Sequence, residues 1–132
     1  MYRNPSLAVD AVVMREGKIL LVRRKNEPYR GMLALPGGFV EYGEKTEEAV
    51  LRELKEETGM KGRIKRLAGV FSDPERDPRG HVVSIAYLVE PVSEGIKAGD
   101  DAAGCEWVKI KDIKDLAFDH REIVKKALEM IE

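Results

Sequence analysis

Cysteine, long apolar runs and a surplus of either charge are all scarce in this sequence, and each scarcity excludes a class of protein. The single cysteine, Cys105, cannot form an internal disulfide or build a cysteine-ligated zinc site, so we expect a small core residue there. No apolar run approaches the roughly 18 residues of a membrane span, and the N-terminal segment MYRNPS has no signal-peptide core. We therefore predict a cytoplasmic protein with no membrane partner.

The charged residues nearly balance: Lys and Arg number 23, Asp and Glu number 24, and the formal net charge is -1. The chain thus lacks the basic stripe that binds nucleic-acid polymers, so we predict no such partner. A small anionic ligand remains compatible, provided that a cation reverses the sign of any carboxylate-rich site. A length of 132 residues with 43% hydrophobic content and no internal repeat predicts one domain over residues 1–132.

Apolar runs punctuated by Gly and Pro predict an α/β fold with a mixed sheet between helices. The segments 6–14 and 18–24 are expected to form a hairpin around Gly17. A helix is predicted to start at Thr46, an N-cap residue type, and to end before Gly59. Further strands are predicted over 32–36, 63–73, 81–91 and 105–110, and a last helix over 119–131 with Asp119 as its N-cap.

The helix after Thr46 places carboxylates where an amphipathic helix should be apolar. At about 100° per residue, Glu53, Glu56 and Glu57 fall beside the stripe that contains Val50 and Leu54. Paired carboxylates beside a core are costly unless a cation joins them, and oxygen ligands favour Mg²⁺ or Mn²⁺. A surface helix rich in i,i+4 ion pairs is the alternative, and helical geometry leaves both open. The residues expected on the solvent side are Glu48, Arg52 and Lys55.

A longer pattern decides between these alternatives. Gly38 is followed after five residues by Glu44 and, after seven more, by RELKEETGM. This matches at every fixed position the Nudix box, G-x5-E-x7-R-E-U-x-E-E-x-G-U with U aliphatic, so residues 38–60 resemble the Nudix hydrolase family. The resemblance implies an α/β/α sandwich that hydrolyses a nucleoside diphosphate linked to another group.

The resemblance also implies roles for the box residues. Glu53 and Glu57 would be the principal Mg²⁺ ligands, Glu56 a further ligand, and Gly38 a backbone carbonyl near the metal. Glu44 would support the helix, and Arg52 would orient the carboxylates. The general base stays open between Glu53 and three acids of a later loop. Those three acids are Glu94, Asp100 and Asp101.

Segments outside the box resemble small ADP-ribose pyrophosphatases. They are LPGGFVEYGE, SDPERDPRGHVVSIAYL, GDDAAGCEWVKI and LAFDHREIV. The activity so implied releases AMP and ribose 5-phosphate. Hydrolysis of an oxidised nucleoside triphosphate such as 8-oxo-dGTP is the enzymatic alternative. A catalytically idle ADP-ribose sensor is a third possibility, less expected because such regulators often have a degraded box and a DNA-binding extension, and homodimerisation is common among such relatives.

Several residues outside the box are candidate substrate contacts, each with a plainer structural alternative. Arg76 or Arg79 could reach a phosphate and His81 could line the pocket, unless their loop is only a turn-rich connection. Arg23 and Arg24 should face opposite ways in a strand, so we expect at most one at the site. Phe118 and His120 could shape the pocket, whereas Trp107 is expected in the core.

Overall fold

The computed structural model describes residues 3–93 and 104–131. Eight strands, two helices and one 3-10 turn follow the predicted order closely. The strands are β1 Ser6–Val12, β2 Met14–Arg15, β3 Lys18–Arg23, β4 Leu33–Ala34, β5 Gly37–Phe39, β6 Gly62–Phe71, β7 Val82–Pro91 and β8 Cys105–Lys109. The helices are α1 Thr46–Thr58 and α2 His120–Glu129, and the 3-10 turn is Ile110–Asp112.

The strands form two sheets where the sequence suggested one. The first is mixed, in the order β5-β1-β7-β6, with β1 parallel to β7 and antiparallel to β5. In the second, β3 pairs with β2, β4 and β8. The predicted hairpin is therefore right only at its tip, where β2 meets β3, because the chain changes sheets after β1.

Apolar side chains on β1 alternate between two cores. Val9 and Ala11 belong to a cluster with Val50 and Leu54 of α1, whereas Val12 packs in a cluster with Ile123 of α2. Because successive side chains of a strand point to opposite faces, β1 contributes apolar side chains to the core on each face of the mixed sheet. This arrangement confirms the α/β/α sandwich. Within the described ranges, no helix is both long and apolar enough to cross a membrane.

The ends of the helices refine two predictions. Lys45, not Thr46, occupies the N-cap position of α1, and the Thr46 hydroxyl hydrogen-bonds the Tyr87 hydroxyl instead. Gly59 ends α1 in the left-handed conformation, as predicted, with φ 78°. Asp119 precedes α2, but its side chain makes no capping hydrogen bond, because Arg76 binds both of its oxygens.

The short strand β5 was not predicted, because three residues that include two glycines carry no strand pattern. Its pairing with β1 aligns Asp10 with Gly37 and Val9 with Gly38. A Cβ atom on Gly37 would lie 2.1 Å from the Val9 carbonyl oxygen, so only glycine fits there, and one on Gly38 would lie 2.5 Å from Glu53 Oε2 and would displace that carboxylate. The strand therefore brings the glycine pair against the carboxylates of α1.

Candidate active site

An acidic cluster, made of Glu44, Glu53 and Glu57 together with Arg52, lies where α1 meets β5. Glu57 Oε1 accepts a hydrogen bond of 2.8 Å from the Gly37 N–H. The Glu53 side chain is 17% exposed and packs against Gly38. One turn of helix separates the two glutamates, so their side chains lie on one face of α1.

Arg52 holds this cluster together. Its Nε and Nη2 donate to the two carboxylate oxygens of Glu44 at 2.7 and 3.0 Å, and its Nη1 donates to Glu53 Oε2 at 3.0 Å. A further bond of 3.2 Å runs from Nη2 to the Phe39 carbonyl. The helical-wheel prediction that Arg52 faces solvent is wrong, because its long side chain folds back onto Glu44. The wheel also placed Glu56 toward the core, but its side chain is 60% exposed and lies 3.4 Å from Arg52 Nη1.

The acidic cluster is electrostatically divided. Burial raises the pKa of Glu57 to about 8. The charge of the nearby Glu53 contributes to this increase, and the hydrogen bond from Gly37 partly opposes it. Burial also raises the pKa of Glu53, against the hydrogen bond from Arg52. The hydrogen bond from Arg52, in contrast, lowers the pKa of Glu44 to about 2. The desolvated carboxyl groups of Glu53 and Glu57 therefore lie next to that of Glu44, whose negative charge is stabilised by Arg52.

The donor chemistry of this cluster fits a divalent cation. Two buried carboxyl groups and a glycine backbone offer hard oxygen ligands, and a cation would relieve the desolvation that raises both pKa values. Among residues 3–93 and 104–131, no three His, Cys, Asp or Glu side chains converge tightly enough to hold an ion. Glu53 and Glu57 would therefore leave ligand positions for water and for substrate, which is how Mg²⁺ is usually held.

A pocket of about 230 Å³ opens beside the acidic cluster. It is lined by Glu57, Gly37 and Gly38 and also by several arginines and aromatic rings. The Arg79 guanidinium carbon lies 5.1 Å from the centre of the Phe39 ring and 5.2 Å from that of Phe118. We call Arg24, Arg79 and Phe118 the cationic cluster, because Arg24 also lies 4.9 Å from the Phe118 ring.

A buried hydrogen-bond network supports the floor of the pocket. His120 Nδ1 accepts a 3.0 Å bond from the Leu35 N–H, so its proton resides on Nε2, which lies 3.4 Å from Asp10 Oδ1. The Ser84 hydroxyl donates to the other oxygen of Asp10. Burial lowers the pKa of His120, which keeps the imidazole neutral. This network holds the backbone at Leu35, two residues before Gly37. It therefore also helps to position the Gly37 N–H that donates to Glu57.

The predicted substrate contacts occupy different environments. Arg79 and Arg23 line the pocket; Arg79 binds the buried Asp77, and Arg23 donates to the Gly31 carbonyl at 2.7 Å. Arg76 also lines it, but its side chain is 4% exposed and its donors bind Asp119 and the Val82 carbonyl. His81 is absent from the lining, and its Nε2 lies 3.0 Å from the Ser72 carbonyl.

Two residues of the site were missed or undervalued by sequence reasoning. Asp10 lies inside a strand of alternating residues, and the one signal it offered was a charge within an apolar run. Arg24 lines the pocket together with Arg23, contrary to the expectation that at most one of them would, because β3 ends at Arg23 and the alternation stops there. The candidate bases Glu94, Asp100 and Asp101 lie outside the described residues.

Comparison with known proteins identifies the class to which this fold and site belong. The family model of the NUDIX domain matches residues 4–127. The chain is 51% identical over 125 residues to an ADP-ribose pyrophosphatase of Methanocaldococcus jannaschii, with 95% of this chain and 74% of that protein covered. The chain belongs to the Nudix family, as the box predicted.

Solved structures show the same relationship. The NUDIX domain of Shewanella oneidensis NrtR, complexed with ADP ribose, has a TM-score of 0.89 at 29% identity, covering 99% of this chain and 91% of that chain. A bifunctional NMN adenylyltransferase/ADP ribose pyrophosphatase of Francisella tularensis, complexed with AMP and a Mn ion, has a TM-score of 0.83 at 32% identity. The latter match covers 98% of this chain but only 42% of the Francisella chain.

Proposed function

We propose that this protein hydrolyses the pyrophosphate bond of ADP-ribose to AMP and ribose 5-phosphate, with Mg²⁺ as the cofactor and Mn²⁺ as a substitute. The observation that carries the proposal is one pocket lined both by Glu57, whose carboxyl group is desolvated, and by Arg24, which forms no ion pair with the described residues. The desolvated Glu53 lies one helical turn before Glu57. A pyrophosphate needs both a cation site and direct donors. The 51% identity to an ADP-ribose pyrophosphatase supports the choice of substrate.

In this proposal, Glu53 and Glu57 hold the ion with the Gly38 carbonyl. Glu56 would be a further ligand once its exposed side chain turns from Arg52 toward the ion. A bound divalent ion supplies charge neutralisation of the pyrophosphate and activation of water. Arg52 and Glu44 keep Glu53 oriented, since Arg52 bonds both carboxylates. Glu53 is the candidate general base among the described residues, because a carboxylate that holds the ion would also lie beside the water that the ion activates.

The substrate contacts are proposed from the lining of the pocket. Arg79 and Arg23 would contact the substrate directly, because both line the pocket. Arg76 would instead secure the loop that carries Arg79, since its side chain is 4% exposed and paired with Asp119, whereas that of Arg79 is 41% exposed. The position of His81 outside the lining does not support a direct contact.

Incubation with ADP-ribose and Mg²⁺, followed by chromatography of the products, tests this function. We expect AMP and ribose 5-phosphate in equal amounts, and no turnover after chelation of the metal. A much higher kcat/KM for 8-oxo-dGTP, with release of pyrophosphate, would favour the triphosphate alternative. Binding of ADP-ribose without any product would instead identify a sensor, as the similarity to the NrtR domain allows.

We also propose a cytoplasmic homodimer that has no nucleic-acid polymer or membrane as a partner. The edge strand β6 pairs with β7 alone among the described strands, and its Leu67 and Val70 are 47% and 56% exposed. A free edge with apolar side chains is a common site of association between chains. Light scattering coupled to size-exclusion chromatography measures the mass directly, and a monomer at micromolar concentration would exclude the dimer.

A further inference from the structure

Arg24 differs from the other arginines of the pocket in lacking a carboxylate partner. Arg76 binds Asp119 and Arg79 binds Asp77, and Arg23 lies 3.9 Å from Glu106. Arg24 makes no ion pair with the described residues; its Nε donates to the Pro28 carbonyl at 2.6 Å. Burial, and then the charge of Arg79, lowers its pKa, and the charges of Asp77, Glu57 and Glu27 offset this only in part. A half-buried guanidinium without a direct ion pair is costly, and an anionic ligand would reduce that cost.

The backbone keeps Arg24 in place. Its N–H donates to the Met32 carbonyl at 2.9 Å, and its own carbonyl accepts from the Gly31 N–H at 2.9 Å. With Nε bonded to Pro28, the two terminal Nη groups make no hydrogen bond to described residues. These groups are the paired donors that match two oxygens of a phosphate. The guanidinium is therefore fixed at its base and available at its tip.

Phe118 supports Arg24 from an unfavourable backbone conformation. Its φ is 56°, and Tyr29, whose ring meets the Phe118 ring edge to face at 4.8 Å, has φ 64°. A left-handed conformation is unfavourable for a bulky residue, so two in contact must be held by their surroundings. Strain of this kind gathers at ligand sites. Here it places an aromatic ring 4.9 Å from the Arg24 guanidinium carbon.

We propose that Arg24, stacked on Phe118, is a direct contact for the diphosphate of the nucleotide substrate and sets its affinity. The nucleotide part of the ligand rests on the proposed function, but the chemical class of the group that Arg24 contacts, a phosphate-bearing anion, rests on the pocket itself. Arg79 lies near the same ring, so a diphosphate can be shared between the two guanidinium groups. Phe118 is a positioning residue for both.

Calorimetric titration of the metal-free protein with ADP, AMP and adenosine tests this assignment. Arg24→Met should weaken ADP binding at least about tenfold, weaken AMP binding less and leave adenosine unchanged. The affinity of Arg24→Lys for ADP should lie between those of wild type and Arg24→Met, because lysine keeps the charge but lacks the planar, paired donors of a guanidinium. Phe118→Leu should also weaken ADP binding, because Phe118 positions Arg24. Arg63→Met, on the exposed end of β6, is the matched control and should bind like wild type.

Three results would overturn the assignment. One is ADP binding by Arg24→Met at wild-type affinity, and another is an equal loss of ADP and adenosine, which would mean that Arg24 contacts the base. A third is an Arg24→Met enzyme whose kcat falls while its KM for the hydrolysed nucleotide stays unchanged, because a binding contact should raise KM about tenfold with kcat within about threefold. Thermal unfolding of each variant establishes that it is folded.

The titration separates this inference from the proposed function. If wild type fails to hydrolyse ADP-ribose but Arg24→Met loses ADP affinity, the substrate is wrong and the Arg24 assignment stands. If wild type hydrolyses ADP-ribose and Arg24→Met binds ADP normally, the proposed substrate stands and the Arg24 assignment is wrong.

Discussion

The acidic cluster and the cationic cluster share one pocket but are assembled in different ways. Residues 44–57 supply the whole acidic cluster from one loop and one helix. The cationic cluster draws on three distant segments, at Arg24, Arg79 and Phe118, each held by its own loop contacts. Helical spacing fixes the relative positions of Glu53 and Glu57, and Arg52 joins Glu44 of the preceding loop to them, whereas tertiary packing must position each arginine of the cationic cluster. We infer that the acidic cluster carries the chemistry and the cationic cluster the choice of ligand.

Glu57→Gln should give the largest effect and tests the acidic half of the comparison. Loss of a charged metal ligand should lower kcat/KM for ADP-ribose on the order of a thousandfold. Glu47→Gln, an exposed glutamate on the same helix, is the control and should retain activity. Steady-state kinetics at saturating Mg²⁺ measure both. Turnover by Glu57→Gln within about tenfold of wild type would exclude Glu57 as a principal ligand.

The stability of the metal-free protein should depend on pH through the same residue. The pKa of Glu57 is about 8 in the folded protein, above its ordinary 4.5, so the folded state holds an extra proton between these values. The stability that this proton contributes is therefore fully present below about pH 4.5 and is lost as the pH rises through 8, by on the order of 5 kcal/mol.

Urea unfolding from pH 5 to 9 in the presence of a chelator measures this dependence. Glu57→Gln should flatten the dependence of the free energy of unfolding on pH. Mg²⁺ added to the wild-type protein at pH 8 should restore the stability that it loses in the presence of chelator. Parallel profiles for wild type and Glu57→Gln would show that another group is responsible.

Arg52→Met tests whether orientation of the carboxylates matters apart from metal ligation. Removal of the bonds to Glu44 and Glu53 should lower kcat about 10–100-fold and weaken activation by Mg²⁺. A titration of activity against Mg²⁺ concentration gives both quantities. An unchanged activation curve would assign Arg52 to stability alone, and Arg63→Met provides the comparison for a surface arginine.

Asp119→Asn probes the ion pair with Arg76, which lies beside the cationic cluster, and should have the smallest effect of these variants. Asparagine is as good an N-cap as aspartate, so a capping role predicts almost no change in the free energy of unfolding. An ion pair with the buried Arg76 predicts a loss of about 2 kcal/mol, because the guanidinium would lose its counter-charge. Urea unfolding at pH 7 distinguishes the two, and an unchanged midpoint would rule out the ion-pair role.

The structure also shows how far sequence reasoning reached. The wheel correctly placed Val50 and Leu54 in the core and Glu48 in solvent, because those assignments depend only on helical period. It failed for Arg52, whose long side chain reaches Glu44 in the preceding loop. Periodicity describes where a Cβ points and cannot say which partner a flexible side chain will find.

The sequence by itself determined the family, the α/β/α sandwich and the local set of carboxylates, because a helix and its flanking glycines are specified by neighbours in the chain. Only the tertiary structure decided that the chain changes sheets after β1, that Asp119 binds Arg76, and that Arg24 meets Phe118. These are contacts between segments far apart in sequence. Their formation depends on the packing of the whole core, which no local pattern encodes.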